Sequence, residues 1–182
     1  FKFGIYGSVN RKLLKDRLSL TLGIRTDANT FTTDGLKLVD AISPRFTTSY
    51  LLTEKWNING TVGRYAKIPI YTVLGFKDSS GEMVNKDNKY ILCDHYTFGL
   101  EYRPKPNTRI TLEGFYKNYG NYPVSVMDGI SLANQGGNFG IIGNEKVVST
   151  GKGRTYGVEL FFQQKLKKNY SKNLIALRLK EE

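Results

Sequence analysis

Apolar and polar residues alternate with a period of two along most of the chain. The apolar set of residues 17–25 is Leu18, Leu20, Leu22 and Ile24. Because successive side chains of a strand point to opposite faces of a sheet, this period predicts a β-strand with one apolar face. The alternation recurs near residues 3–10, 46–52, 56–63, 96–102, 110–117 and 155–163. We therefore predict an all-β chain with seven antiparallel strands, and an eighth near 171–180 that could equally be a short helix.

The connections between these strands alternate in length. Short ones fall at residues 12–16, 54–55, 104–107 and 165–170, and long ones at residues 30–43, 68–93 and 119–153. Short turns on one side and long loops on the other are typical of outer-membrane barrels, whose long loops are extracellular. Loops longer than about 15 residues are uncommon in compact soluble domains. The pattern therefore predicts a meander of about seven or eight strands that forms part of a transmembrane β-barrel.

Aromatic residues near the short turns agree with a membrane setting. Tyr50 and Trp56 flank one short turn, and Tyr102 precedes another. Amphipathic rings favour the boundary between membrane and water, although soluble proteins also place aromatics beside turns. Arg64 is a charge on an otherwise apolar stripe, near the long-loop end of its strand. A lipid-facing cation costs about 2–4 kcal/mol at mid-membrane but only about 0–1 near the interface, so this position is tolerable.

Composition excludes several classes of protein. The chain has 182 residues, 40% of them hydrophobic, which corresponds to one domain or to part of a larger one. Its mean hydropathy is −0.38, so it contains no apolar run of the roughly 20 residues that a spanning helix needs. A membrane β-barrel is compatible with these values, because its alternating strands average to a mildly polar composition.

The net charge of +11 raises the question of nucleic acid as a partner. The basic residues are scattered over turns and both strand faces instead of following one groove, which argues against that partner. At an outer membrane, cations at both rims would meet the anionic groups of lipid and lipopolysaccharide. We therefore expect outer-membrane lipid or lipopolysaccharide as a partner.

The sequence offers no catalytic or metal site. Cys93 is the single cysteine and His95 the single histidine, so neither a zinc site nor a nucleophile–base pair can be assembled from them. Glu101, Glu113 and Glu159 lie on polar strand faces, where we expect them to pair with Arg25, Arg45 or Lys117 across a wet lumen. We predict no enzymatic activity and no cofactor.

Seven segments, in order, resemble one family of proteins. They are LGIRTD (22–27), ISPRFTTSY (42–50), GRYAKIPIYTVLGF (63–76), VNKDNKYI (84–91), HYTFGLEYRP (95–104), EGFYKNYGNYPVSV (113–126) and GKGRTYGVELFFQQKL (151–166). Together they resemble the TonB-dependent outer-membrane receptors of Bacteroidetes-type bacteria, in the downstream part of the barrel. Each segment is a weak signature alone, but the series spans nearly the whole chain.

The resemblance implies a location in the bacterial cell outer membrane and a role in nutrient uptake. Such receptors are 22-stranded barrels plugged by an N-terminal domain, so residues 1–182 would form only part of the barrel. The remaining barrel and the plug would be partners, and TonB would be reached only through N-terminal regions that this sequence does not show. The nutrient could be an iron chelate, a vitamin, a glycan or a peptide. Residues 171–182 depart from the family pattern as an atypical tail, which suggests a truncated or disrupted receptor.

On this interpretation, the ligand would be contacted by the long loops and the loop-side ends of the strands. The candidates, chosen for stacking and amide hydrogen bonding, are Tyr65, Tyr71, Tyr90, Asn134, Gln135 and Asn138.

Two other interpretations remain open from the residues alone. A self-contained eight-stranded membrane barrel with an adhesin or structural role predicts that the eighth strand pairs with the first. A soluble β-domain that binds a ligand or nucleic acid predicts an apolar stripe packed against a core. A receptor fragment predicts open sheet edges at both ends.

Overall fold

Eight β-strands make up most of the structure, a computed structural model that describes residues 1–135, 142–165 and 171–181. The strands are β1 (Lys2–Leu13), β2 (Leu18–Asn29), β3 (Ser43–Leu51), β4 (Trp56–Lys67), β5 (Ile91–Lys105), β6 (Thr108–Ser125), β7 (Val147–Lys165) and β8 (Ser171–Glu181). A 3-10 helix at Leu38–Ala41 and the four-residue helix α1 at Tyr71–Leu74 lie between strands. Within the described ranges, no helix is long and apolar enough to cross a membrane.

The strands form one antiparallel sheet in sequence order, from β1 to β8. Each strand pairs with the next along the chain, so the sheet is a meander with β1 and β8 at its two edges. The sheet is therefore open in the described part of the chain. This contradicts the interpretation as a closed eight-stranded barrel, which required β8 to pair with β1.

All seven predicted strands are confirmed, and the segment near 171–180 is a strand and not a helix. Several strands are longer than predicted. β6 continues to Ser125 and β7 begins at Val147, so their connection covers residues 126–146 instead of 119–153. The other long connections cover residues 30–42 and 68–90, close to the predicted ranges 30–43 and 68–93. We call these three connections loop A (30–42), loop B (68–90) and loop C (126–146).

The two faces of the sheet differ in chemistry and in burial. Across the sheet, register aligns one apolar row made of Val9, Leu22, Phe46, Val62, Tyr96, Tyr116 and Tyr156. This apolar face is open, as Leu22 is 64% and Phe98 63% exposed. Residues of the opposite, polar face are more enclosed, and Glu101 is 4% exposed. The interpretation as a soluble β-domain predicted an apolar stripe packed on a core, and this prediction is wrong.

Most of the buried apolar side chains belong to the loops and the strand ends beside them. One cluster contains Ala41, Ile68, Leu74 and Tyr90. A second contains Val73, Leu132 and Val147, with Tyr122 packed against it. Loops A, B and C are thus folded into a common layer at one end of the sheet, here called the loop layer, and this layer holds the strand ends of the polar face in place.

Candidate functional site

Basic and aromatic side chains gather on the polar face in the half of the sheet nearest the loop layer. Arg45, Gly63, His95 and Lys117 are aligned on β3, β4, β5 and β6 by the strand register. Tyr65, two residues after Gly63, lies on the same face. We call Arg45, Tyr65, His95 and Lys117 the cationic cluster. All four residues are half-buried.

The cluster is packed through its rings. The Arg45 guanidinium carbon lies 4.2 Å from the centre of the Tyr65 ring, which is within cation–π range. The Tyr65 and His95 ring centres are 6.0 Å apart at an interplanar angle of 53°. Gly63 makes this arrangement possible, because a Cβ there would lie 3.1 Å from Arg45 Cγ. The missing side chain lets Arg45 lie across β4 and reach Tyr65.

Two nitrogen atoms of the cluster have unused hydrogen-bonding capacity. Arg45 Nε and His95 Nε2 are buried and have no hydrogen-bond partner in the described part of the chain. Neither Arg45 nor Lys117 forms an ion pair with any residue that the structure describes. Leaving a buried polar group without a hydrogen-bond partner costs about 1–3 kcal/mol, so a ligand that supplies hydrogen-bond acceptors here would gain binding free energy. The cluster is suited to an anionic or acceptor-rich ligand.

Glu101, a carboxylate of the polar face, is neutralised away from the cluster. Glu101 forms ion pairs with Arg103 at 2.7 Å and with Arg109 at 2.5 Å, near the short turns. The expected pairing of Glu101 with Arg25, Arg45 or Lys117 is therefore wrong. Arg25 instead pairs with Asp27 at 2.6 Å. Asp27 and Glu113 are still close enough to act electrostatically on Arg45 and His95, respectively, but neither forms an ion pair with the cluster in the described part of the chain.

Arg64 lies on the apolar face, as predicted, and its charge is compensated there. Its guanidinium donates two hydrogen bonds to Asp94, at 2.7 and 2.9 Å. The two residues are direct neighbours in the register of β4 and β5. A bidentate pair of this kind reduces the cost of a cation on the apolar face.

Two asparagines that the sequence did not single out hold the loop layer together. The Asn85 amide donates to the Val73 carbonyl at 2.8 Å and to the Glu145 carbonyl at 2.7 Å, and its oxygen accepts from the Val147 amide at 2.9 Å. Asn88 donates to the Val147 carbonyl at 3.3 Å. Both lie in the segment VNKDNKYI, whose polar composition resembles an ordinary turn, so only their burial reveals the role.

The predicted ligand-contact residues that the structure describes have different surroundings. Tyr65 belongs to the cationic cluster. Tyr71 is 61% exposed on α1, and its ring packs edge-on against Phe31 at 5.3 Å. Tyr90 is only 5% exposed, and its hydroxyl is used within the protein, accepting from Asn29 at 2.8 Å and donating to the Asp27 carbonyl at 3.1 Å. Burial raises the pKa of Tyr90.

The three candidates in loop C have different surroundings. The Asn134 amide nitrogen of the backbone donates to the Ser131 carbonyl in a turn, and its side chain is exposed. The Gln135 side chain donates to Glu145 at 2.9 Å. Asn138 lies outside the described residues. A role in ligand contact for these residues stays a prediction.

Among the described residues, no group of three or more His, Cys, Asp or Glu side chains is arranged to hold a metal ion. Two acidic residues of loop B form hydrogen bonds with the protein, Asp87 with the Thr33 hydroxyl of loop A and Asp78 with Ser80 in the same loop. Asp78 accepts hydrogen bonds from the Ser80 hydroxyl at 2.5 Å and from the Ser80 amide at 2.9 Å, and these bonds lower the pKa of the Asp78 carboxyl.

Comparison with known proteins identifies the family and the fold. A family model described as TonB dependent receptor-like, beta-barrel, matches residues 2–178. No curated protein sequence matches. One similar solved structure is the siderophore receptor PirA from Pseudomonas aeruginosa, with 19% identity and a TM-score of 0.64. A second is a mutant of the ferric enterobactin receptor PfeA from the same organism in complex with enterobactin, with 20% identity and a TM-score of 0.65. A third is the alcaligin outer-membrane receptor FauA from Bordetella pertussis, with 13% identity and a TM-score of 0.57.

The chain spans only part of these receptors. Each match covers 92% of this chain but between 25% and 29% of the other protein. At these identities the structural likeness establishes the fold alone. The narrower assignment to the Bacteroidetes type stays a prediction.

Proposed function

The chain belongs to the TonB-dependent receptor-like β-barrel family, and from this membership we propose that it forms wall and outer loops of a receptor that captures a nutrient. Members of the family are transporters of the bacterial outer membrane and not enzymes. The open sheet edges fit a partial barrel, because in a 22-stranded barrel further strands would continue from β1 and β8. A plug domain and TonB would be the other partners of the complete receptor.

The orientation follows from the two faces of the sheet. The exposed apolar face would contact lipid, and the polar face would line the lumen. Aromatic residues mark both ends of the apolar face. Trp56 and Tyr102 stack at 4.3 Å near the short turns, and Tyr96 and Tyr116 lie 6.4 Å apart towards the loop layer. Aromatic residues at both ends are typical of a membrane-spanning barrel, because Trp and Tyr are enriched at the two membrane–water interfaces.

We infer that the ligand is an anionic chelate that reaches the cationic cluster beneath the loop layer. The observation that carries this proposal is the unpaired Arg45, with its free Nε, stacked on Tyr65 beside His95. Arginine suits such a ligand because its planar guanidinium can bind carboxylate or catecholate oxygens in pairs. PirA is a siderophore receptor and PfeA is a ferric enterobactin receptor, and this supports an iron chelate over a vitamin, a glycan or a peptide.

Tyr71 and Gln135 would form the outer part of the path. Tyr71 is 61% exposed and lies in the loop layer. A first, weak contact at such a residue would be followed by transfer to the cationic cluster. Tyr90 is already packed and hydrogen-bonded, so its contribution would be to hold loop B.

The proposal is tested by ligand affinity in the full-length protein with Arg45→Ala. Charge-assisted hydrogen bonds contribute about 1.5–3 kcal/mol, so we expect the dissociation constant for an anionic ferric chelate to rise about 10- to 100-fold. Lys55→Ala, which removes an exposed lysine in a short turn, is the matched control and should leave affinity within about twofold. Unchanged chelate affinity in Arg45→Ala, or tighter binding of a neutral glycan than of any chelate, would contradict the proposal.

A further inference from the structure

His95 occupies the middle of the cationic cluster in the strand register. Its direct neighbours are Gly63 on β4 and Lys117 on β6, and Arg45 on β3 is the direct neighbour of Gly63. The His95 ring centre lies 6.0 Å from that of Tyr65, whose ring is also contacted by the Arg45 guanidinium. His95 therefore lies between the two permanent cations of the cluster.

One ring nitrogen of His95 is available to a ligand. Nε2 is buried and has no hydrogen-bond partner in the described part of the chain. A neutral imidazole has one N–H donor and one bare nitrogen, whereas an imidazolium donates from both nitrogens. A bare nitrogen repels an anionic oxygen, and an N–H group attracts it. The protonation state of His95 therefore decides whether the cluster offers the ligand two cationic groups or three.

The surroundings of His95 set the cost of that third charge. An imidazolium in the empty site would face Arg45 and Lys117 as like charges, with Glu113 acting in the opposite sense. Taking a charge out of water adds to this cost. The titratable and charged groups on the polar face around His95 are Arg45 on β3, Tyr65 on β4, Cys93 on β5, and Glu113, Lys117 and Tyr119 on β6.

We propose that His95 takes up a proton when an anionic ligand binds, and that its Nε2 then donates a hydrogen bond to the ligand. The anion offsets the charges of Arg45 and Lys117, so that a third cation no longer meets uncompensated like charge. The proton comes from the solvent, and no other covalent bond forms or breaks. This inference rests on the proposed function, because it requires an anion at the cationic cluster. Since binding takes up a proton, ligand affinity rises as the pH falls.

The test is isothermal titration calorimetry of the full-length protein in detergent, with ferric enterobactin as a catecholate probe and ferric citrate as a carboxylate probe. Titrations in two buffers of different ionisation enthalpy give the number of protons taken up on binding. A histidine that is mostly neutral before binding and mostly protonated afterwards takes up about 0.5 to 1 proton near pH ~7. The dissociation constant should then fall by up to about tenfold when the pH is lowered by about one unit in this range.

Two variants on β5 identify the group that takes up the proton. His95→Gln keeps a polar side chain but removes the titratable ring, so it should abolish the uptake. Cys93→Ser is the matched control, because it removes the other titratable group of β5 on this face and should leave the uptake unchanged. The protonation of the probe itself is the same for every variant, so the difference between variants isolates His95.

The outcomes separate this inference from the proposed function. Absence of proton uptake in the wild-type protein would overturn the inference without any variant, and so would unchanged uptake in His95→Gln. Arg45→Ala should weaken chelate binding while the binding that remains still takes up a proton. Weakened binding in Arg45→Ala without wild-type proton uptake would therefore contradict the role of His95 alone. Absence of binding of both chelates to the wild-type protein would overturn both proposals.

Discussion

Asn85 is the residue whose removal should most clearly uncouple the loops. Its side chain is fully buried and joins three backbone groups of loops B and C and of β7. Asn85→Ala removes all three hydrogen bonds. The Val73 carbonyl keeps the Phe76 amide as a donor, whereas the Glu145 carbonyl and the Val147 amide lose the partner that Asn85 supplies. At about 1 kcal/mol for each net hydrogen bond, the loop layer should lose about 3 kcal/mol, and more if the orphaned groups remain dry.

The assay is amide hydrogen exchange of the protein in detergent micelles. A loss of about 3 kcal/mol corresponds to about a 100-fold larger population of the opened loop layer. Exchange at the Val147 amide, which donates to Asn85, should accelerate by about this factor. The amides in the middle of β5 should keep their exchange rates, because the sheet does not depend on this side chain.

Two variants show whether the effect comes from these hydrogen bonds. Asn85→Asp keeps an acceptor for the Val147 amide but cannot donate to the two carbonyls, so its exchange rate should also rise. Asn134→Ala removes an exposed asparagine of loop C and should have no effect at Val147. Acceleration of less than about threefold at Val147 in Asn85→Ala would refute the reasoning, because the three bonds would then contribute almost nothing.

Three further predictions concern other parts of the structure. The pKa of the Tyr90 hydroxyl is raised in the folded protein, so its stabilisation of loop B is complete below pH ~10 and is lost as the pH rises through the raised pKa. Tyr90→Phe should abolish this loss of loop stability at alkaline pH, measured by amide hydrogen exchange. The same pH dependence in Tyr90→Phe as in the wild-type protein would refute this prediction. Gly63→Val should displace the Arg45 side chain and weaken chelate binding about as much as Arg45→Ala does, while the protein still inserts normally into the membrane. Wild-type chelate affinity in this variant would contradict the proposed packing of Arg45 over residue 63. Glu101→Gln should lower the free energy of unfolding in lipid vesicles by about 1–2 kcal/mol, because two half-exposed arginines lose their counter-charge. An unchanged free energy of unfolding would show that solvent fully screens the two ion pairs.

The strands could be predicted from sequence because alternation reports directly which face is apolar. The sequence predicts a strand that is too short where the alternation of apolar and polar residues is interrupted. Asn121 has a positive φ of 58°, and the register of β6 against β7 shifts between Tyr119 and Tyr122. The period of two is interrupted there, so the sequence pattern predicts a loop for the last part of β6. A bulge of this kind leaves little trace in one sequence.

The candidate site was only partly predictable, because it depends on contacts between strands. Tyr65 was identified by its type and position, but its partner Arg45 lies on another strand and reaches it only because residue 63 is glycine. Tyr90 has the same chemistry as Tyr65 in sequence, yet it is buried by loop packing. Register and packing decide which tyrosine is accessible, and neither is encoded in a local pattern.

The central claim is that the apolar face meets lipid and the polar face meets water, and nitroxide labels along β5 test it most directly. With Cys93 replaced by Ser, single cysteines at residues 97–100 would be labelled in the full-length protein in outer-membrane vesicles. Labels at Phe98 and Leu100 should be relaxed mainly by oxygen, which concentrates in lipid, and labels at Thr97 and Gly99 mainly by a water-soluble nickel complex. Accessibility that does not alternate with a period of two, or that alternates in the opposite phase, would contradict the account.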